Sequence, residues 1–262
     1  MKFSVQDDKV PGKDFRQKLS NLESYGYEGV ELWGRPSVGE QLGELREALS
    51  SSKVKPSAIC SGYPGDLLAV ERENRDRAVE GITQRLTWAS ELGAVGVIVV
   101  PTFGPPKLPD LSPLYRDERE LEEKMLTDEL KVIAKTAEDV GAKVLLEPLN
   151  RYETHFMNRL EQAASLCDIV GSEGVKTMAD YFHMNIEERD IAESLRRFAG
   201  YVFHVHLADS NRLTPGSGHT DFSSLGVLKN AGYRGYLSLE CGVPGDPAVE
   251  LPKTISHLKK YV

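Results

Sequence analysis

Four ionisable side chains end four consecutive apolar segments in the second half of the sequence. Glu147 ends "KVLLE", Asp180 ends "VKTMAD", His206 ends "YVFHVH" and Glu240 ends "YLSLE", at separations of 33, 26 and 34 residues. If each segment is a strand and each separation is one strand–helix unit, the four side chains stand at the same level of a sheet.

These residue types predict a metal site. Three unpaired carboxylates in apolar surroundings would repel one another and lose solvation, and a divalent cation relieves both effects. Three oxygen ligands and one nitrogen ligand suit Mn²⁺, Mg²⁺ or Co²⁺ better than the thiolate-rich sites of structural zinc.

Each of the four also has a plain structural interpretation. A carboxylate at a strand end can cap the next helix or form an ion pair on the rim, and His206 alone could be a hydrogen-bonded core residue. The shared register of all four favours the metal site. His204 lies on the same strand face one layer deeper, so we expect it to pack or hydrogen-bond behind His206.

Other polar and aromatic residues follow these strand ends. Glu153 lies six residues after Glu147, His183 three after Asp180 and Arg212 six after His206. They could hold a polyhydroxylated ligand, although solvated loop positions explain each one nearly as well. Trp33 ends an earlier apolar segment and could be a stacking wall for the ligand or a core aromatic residue.

The scaffold follows from alternating apolar and helical segments. Eight apolar runs, each followed by a helical pattern, occur in 262 residues, and "VKTMADYF" is the sixth predicted strand. This alternation predicts an α/β fold, a single (β/α)8 barrel over residues 1–262, with an open doubly wound sheet as the alternative. The proline-rich residues 102–116 form a long loop, and we expect it to cover something.

Composition narrows the function classes. The chain has 40% hydrophobic and 27% charged residues and a formal net charge of −8, which favours a globular protein over a partner of nucleic acid or membrane. No apolar run reaches the length of a membrane span, and "MKFSVQDDKV" does not read as a secretory signal. Three widely spaced cysteines indicate reduced thiols and a cytoplasmic protein.

The segments "LLEPLNRYE", "DYFHMN", "HVHLADSNRLTPGSGHTDF" and "GYLSLE" resemble the sugar-phosphate isomerase/epimerase superfamily with xylose isomerase-like barrels, and most of all its D-tagatose/D-psicose 3-epimerase group. The resemblance spans the eight-unit layout and is specific from residue 145 onward. It implies one divalent metal ion per chain, usually Mn²⁺, held by Glu147, Asp180, His206 and Glu240. It also implies that the two glutamates are the catalytic acid and base. The residues implied to contact a sugar substrate are Glu153, His183 and Arg212. A homodimer or a homotetramer is typical of the family.

We therefore predict a metal-dependent sugar isomerase or epimerase that transfers a proton beside a ketose carbonyl through an enediolate. A hydroxypyruvate-type isomerase, an inosose dehydratase and a keto-glycoside-processing enzyme fit the same residues. A DNA-repair endonuclease of the superfamily fits less well, because "CSGYPG" and "VPTFGP" lack the histidines that its zinc ions need. A non-catalytic sugar-binding barrel would not require two glutamates on the metal.

Overall fold

A computed structural model describes residues 1–262, which fold into eight strands and ten α-helices. The strands are β1 Lys2–Val5, β2 Gly29–Trp33, β3 Lys55–Cys60, β4 Gly96–Val99, β5 Lys143–Leu146, β6 Val175–Asp180, β7 Val202–Leu207 and β8 Tyr236–Leu239. The helices are α1 Phe15–Tyr25, α2 Pro36–Glu40, α3 Leu42–Ser50, α4 Arg72–Leu92, α5 Glu118–Val140, α6 Leu160–Val170, α7 Tyr181–Glu187, α8 Ile191–Phe198, α9 Leu225–Asn230 and α10 Pro247–Leu258. Short 3-10 turns cover Asp7–Lys9, Ala199–Tyr201 and Phe222–Ser224.

The strands form one parallel sheet whose two edges meet. The order runs from β1 through β8 and back down the numbering to β2. A single bridge between Gln6 and Glu31 and a hydrogen bond from Glu28 N to Phe3 O (2.9 Å) join β1 to β2. This confirms the predicted (β/α)8 barrel.

The apolar core has two parts. The larger part lies where the strands pack against the helices, and the smaller part fills the barrel interior with Ala58, Cys60, Ile98, Leu145 and Met178. Because strand side chains alternate, Glu147 faces the same way as Leu145, and Asp180 the same way as Met178. The interior is therefore apolar at mid-height and acidic at its carboxyl end.

The predicted sixth strand is wrong in its last two residues. The strand ends at Asp180, and Tyr181 begins α7. The Asp180 carboxylate accepts hydrogen bonds from the backbone N–H groups of Phe182 (2.7 Å) and His183 (3.4 Å), so it caps this helix. A capping carboxylate satisfies backbone donors at a helix start and so favours a turn over continued strand.

The long proline-rich loop lies against the loop that follows β5. Gly104 N donates to Glu153 O (2.8 Å), and His155 N donates to Gly104 O (3.1 Å). On its other side, Asp66 accepts hydrogen bonds from Thr102 (2.9 Å) and Lys107 (2.6 Å). The loop therefore covers the segment that carries Glu153.

Two further features are the character of the helices and the state of the cysteines. None of the helices combines the length and the apolar sequence needed to cross a membrane. The three cysteines, Cys60, Cys167 and Cys241, are free thiols and are buried.

Gly96 provides a test of the strand packing. A Cβ at this position would lie 1.9 Å from Lys143 O, a backbone atom of the paired strand β5 that cannot move aside. We expect Gly96→Ala to lower the free energy of unfolding by about 3 kcal/mol or more, measured by urea denaturation. Gly226→Ala is the control, because a Cβ there meets nothing within 4 Å. Equal stability of the two variants would contradict this packing.

Candidate active site

The four predicted metal ligands converge at the carboxyl end of the barrel. Glu147 follows β5, Asp180 ends β6, His206 lies in β7 and Glu240 follows β8. Their ligand atoms all lie within 4.8 Å of one another. His206 Nδ1 is 3.4 Å from Glu147 Oε1, 3.7 Å from Asp180 Oδ2 and 3.4 Å from Glu240 Oε2.

Unpaired buried atoms in this cluster fit a divalent cation. Glu147 Oε1 and His206 Nδ1 are buried and have no hydrogen-bond partner. Buried polar atoms without partners are costly, and native proteins contain few of them. A cation held between carboxylate oxygens and one imidazole nitrogen would satisfy both atoms, and this donor set is the one that Mn²⁺ and Mg²⁺ accept.

Burial and neighbouring charges shift the pKa values of the carboxyl groups in the cluster. Burial, reinforced by the Glu240 charge, raises the pKa of Glu147 to about 7 despite its contact with His206. Burial alone would raise the pKa of Asp180 as well, but His183 and His206 lower it to about 2. The two carboxyl groups therefore differ in acidity because their neighbours differ.

A second layer of buried polar groups, which the sequence patterns did not predict, lies behind His206. His206 Nε2 is 3.0 Å from both carboxylate oxygens of Glu31, and His204 Nε2 is 2.6 Å from Glu31 Oε2. Burial would raise the pKa of Glu31, but the two histidines lower it overall. His204 thus lies one layer deeper than His206 and forms a hydrogen bond there, as predicted.

Gln6 completes this layer. Its Nε2 donates to Glu31 Oε1 (3.1 Å) and to Glu240 Oε1 (3.1 Å), so it links the deeper carboxylate to one in the ligand cluster. In the sequence, this layer is signalled by Glu31, a charged residue inside the apolar strand "GVELW". Glu31 lies two positions before Trp33 and therefore on the same strand face.

Arg212 and Glu153 meet at the mouth of the site. The Arg212 guanidinium donates to Glu153 Oε1 (3.1 Å) and to Glu240 Oε2 (3.1 Å). It lies 4.6 Å from the centre of the Phe182 ring, a cation–π contact that the sequence-based analysis missed. The backbone of Arg212 is left-handed, with φ of 57°.

His183 is buried beside the cluster on α7. Its Nδ1 accepts a hydrogen bond from Asn150 N (3.1 Å), which leaves the ring hydrogen on Nε2. Nε2 has no hydrogen-bond partner and lies 3.6 Å from Asp180 Oδ2. The Asn150 side chain also donates to Glu153 (2.8 Å). His183 and Glu153 are thus held by one asparagine, which was not predicted as part of the site.

Trp33 is the last residue of β2. It is half-buried against the apolar barrel interior, and its side chain forms no hydrogen bond with the carboxylates. It also lines an adjoining cavity of about 220 Å³ together with Asp7, Lys13 and Arg35. Its predicted role as a substrate wall stays a prediction.

Asp209 organises the loop that carries Arg212. Its buried carboxylate accepts hydrogen bonds from the backbone N–H groups of Ser210 (2.8 Å), Gly216 (2.8 Å) and Thr220 (2.9 Å). Although burial raises the pKa of Asp209, these bonds lower it to about 2. A Cβ on Gly218 would lie 2.4 Å from Asp209 Oδ1, so the loop needs glycine at that position.

Comparisons with known proteins relate this chain to sugar epimerases. A family model described as "Xylose isomerase-like TIM barrel" matches residues 19–261. A 3-dehydro-D-guloside 4-epimerase of Escherichia coli (strain K12) is 31% identical over 267 residues, covering 99% of this chain and 99% of that protein. A D-psicose 3-epimerase of Enterocloster bolteae is 39% identical over 112 residues, covering 42% of this chain and 37% of that protein. The apo crystal structure of an E. coli 3-keto-D-glucoside 4-epimerase has a TM-score of 0.90 at 28% identity and covers 99% of each chain.

The Asp209 loop gives a prediction about stability and pH. Asp209→Asn keeps the size of the side chain but replaces one acceptor oxygen by a donor, and we expect it to cost about 3 kcal/mol at pH 7. The folded-state pKa is depressed to about 2, so the contribution is complete above the ordinary pKa near 4 and is lost as the pH falls toward 2. Urea unfolding of both proteins at several pH values measures the difference. A difference that stays constant down to pH 2 would contradict this role.

Proposed function

Because the chain belongs to the xylose isomerase-like TIM barrel family, we propose that it is a metal-dependent sugar epimerase that inverts a carbon beside a carbonyl group. One observation carries the proposal. Two glutamates, Glu147 and Glu240, come from different strands and each has a carboxylate oxygen 3.4 Å from the same ligand nitrogen of His206. An epimerase needs one group to remove a proton and another to return it from the opposite face.

The proton transfers are assigned to these two glutamates. A bound divalent cation would polarise the substrate carbonyl and stabilise the negative charge that develops on its oxygen. One glutamate takes the proton from the adjacent carbon, and the electrons of that C–H bond form the double bond of an enediolate. The other glutamate, in its acid form, donates a proton to the opposite face and inverts the centre.

The surrounding polar groups would hold the hydroxyl groups of the sugar. Arg212 supplies N–H donors, Glu153 supplies carboxylate acceptors, and His183 Nε2 is a buried donor that has no partner within the protein. A ligand rich in hydroxyl groups offers both kinds of partner. Among the metals, the three-carboxylate, one-imidazole set and the family resemblance favour Mn²⁺, with Mg²⁺ and Co²⁺ as other occupants.

The comparisons favour a keto-glycoside as the substrate. Similarity to the 3-dehydro-D-guloside 4-epimerase extends over 99% of both proteins. The second candidate is a free ketose epimerised at C3, because the D-psicose 3-epimerase has the higher identity, 39%, over its shorter match. Both reactions invert a carbon next to a carbonyl, so they share the site chemistry and differ in the substrate group beyond it.

The acid/base assignment is tested with Glu147→Gln and Glu240→Gln. Each variant loses one proton-transferring group, and we expect kcat for epimerisation to fall by at least about 100-fold, with loss of deuterium incorporation from D₂O into the inverted product. The assays are run at Mn²⁺ concentrations that saturate each variant, so that weaker metal binding does not account for the loss. Glu44→Gln, an exposed change on α3, is the control. Full turnover in either site variant would remove that glutamate from the acid/base role.

The substrate class is tested by NMR in D₂O. The Mn²⁺-loaded protein is incubated with 3-keto-glycosides and with free ketoses, the metal is removed, and deuterium is located carbon by carbon. We expect exchange at C4 of the keto-glycosides. Exchange confined to C3 of free ketoses would establish the second candidate, and no exchange with any sugar would contradict the proposed function.

A further inference from the structure

We propose that Glu31 is a positioning residue that makes Nδ1 of His206 the metal-binding nitrogen. The inference rests on the metal site of the proposed function, and it concerns a residue outside the proposed ligand set. Its basis is the hydrogen bonding of the imidazole ring on the side opposite the ligand cluster.

The two nitrogens of His206 face different partners. Nε2 lies 3.0 Å from both oxygens of Glu31, whereas Nδ1 faces the three carboxylates of the ligand cluster and has no hydrogen-bond partner. Both His206 and Glu31 have no exposed surface, so water does not compete for either nitrogen.

The partner of Nε2 decides which nitrogen can bind a metal. An ionised carboxylate only accepts hydrogen bonds, so Nε2 must carry the ring hydrogen that it donates to Glu31. In the neutral ring, the lone pair then resides on Nδ1 and points into the cluster. A hydrogen-bonded carboxylate also fixes the orientation of the ring and raises the basicity of the ligand nitrogen.

Glu31 is itself held in place by two other buried side chains. His204 Nε2 lies 2.6 Å from Oε2, and Gln6 Nε2 donates to Oε1 over 3.1 Å. The same Gln6 nitrogen lies 3.1 Å from Glu240 Oε1. Glu31 is therefore fixed relative to both His206 and one of the two proposed acid/base residues.

The informative substitution is Glu31→Gln, which preserves size and shape. The glutamine amide has an N–H donor where the carboxylate has only acceptors, so it can donate to His206 Nε2. In that arrangement the ring hydrogen moves to Nδ1 and blocks the lone pair that binds the metal. If the amide oxygen faces Nε2 instead, a neutral acceptor replaces the charged one that supports the ligand. Loss of such a supporting carboxylate typically weakens metal binding by about 10–100-fold.

The first measurement is the dissociation constant for Mn²⁺. Metal-stripped wild-type protein, Glu31→Gln and the control Ser57→Ala are titrated with Mn²⁺, and free Mn²⁺ is followed by EPR. Ser57 is also fully buried and hydrogen-bonds to Ser4 (2.8 Å), but it has no hydrogen bond to Glu31 or to the ligand cluster. We expect binding to weaken about 10–100-fold in Glu31→Gln and to stay within roughly twofold in Ser57→Ala, since the control alters no group that the metal ligand contacts.

The second measurement needs only the wild-type protein and so does not depend on how the variant folds. Long-range ¹H–¹⁵N NMR spectra of the ¹⁵N-histidine-labelled protein, loaded with diamagnetic Zn²⁺, report which His206 nitrogen carries hydrogen. We expect hydrogen on Nε2 and a metal-shifted Nδ1. Hydrogen on Nδ1, or equal Mn²⁺ affinity in wild type and Glu31→Gln, would overturn the assignment of Glu31 alone. Failure of the wild type to bind Mn²⁺ would instead overturn the metal site of the proposed function.

Discussion

The structure depends on keeping three buried carboxylates and one partly buried carboxylate together at one end of a barrel. Glu31, Glu147, Asp180 and Glu240 would repel one another strongly in surroundings of low polarity. His206 lies between them, with Nε2 toward Glu31 and Nδ1 toward the other three. One imidazole thus separates one carboxylate from the other three, and a cation on the Nδ1 side would compensate the charge that remains.

The same residues also close the barrel. The edges of the sheet meet through a bridge between Gln6 and Glu31, and the Gln6 side chain reaches Glu240 after the last strand. The polar layer therefore ties together β1, β2 and β8, and it reinforces the seam between β1 and β2, which are joined by a single bridge. At the mouth of the site, the Arg212 guanidinium adds a further link, because it donates hydrogen bonds to both Glu240 and Glu153. The same hydrogen bonds therefore hold the site residues in place and help to join the two edges of the barrel.

The sequence predicted the barrel and the convergence of the ligand cluster because both follow from local patterns. Strand ends at regular separations must meet in a parallel barrel, and this placed Glu147 and His206 together. Glu31 escaped prediction because its partner His204 lies 173 residues away, and a single charge in a short apolar strand carries no information about that partner. The helix that begins at Tyr181 was missed for a related reason, since only the capping bonds of Asp180 reveal where the strand stops.

The contact between Gln6 and Glu240 has a consequence for biosynthesis. The ribosome makes β1 before β8, and 234 residues separate the two side chains, so they meet only after the chain between them has emerged. Until then β1 has no neighbour on its β8 side, and the acidic pocket lacks one wall. The nascent chain therefore carries an open sheet edge and an incomplete cluster of like charges, and an unpaired edge of this kind is prone to pair with other chains.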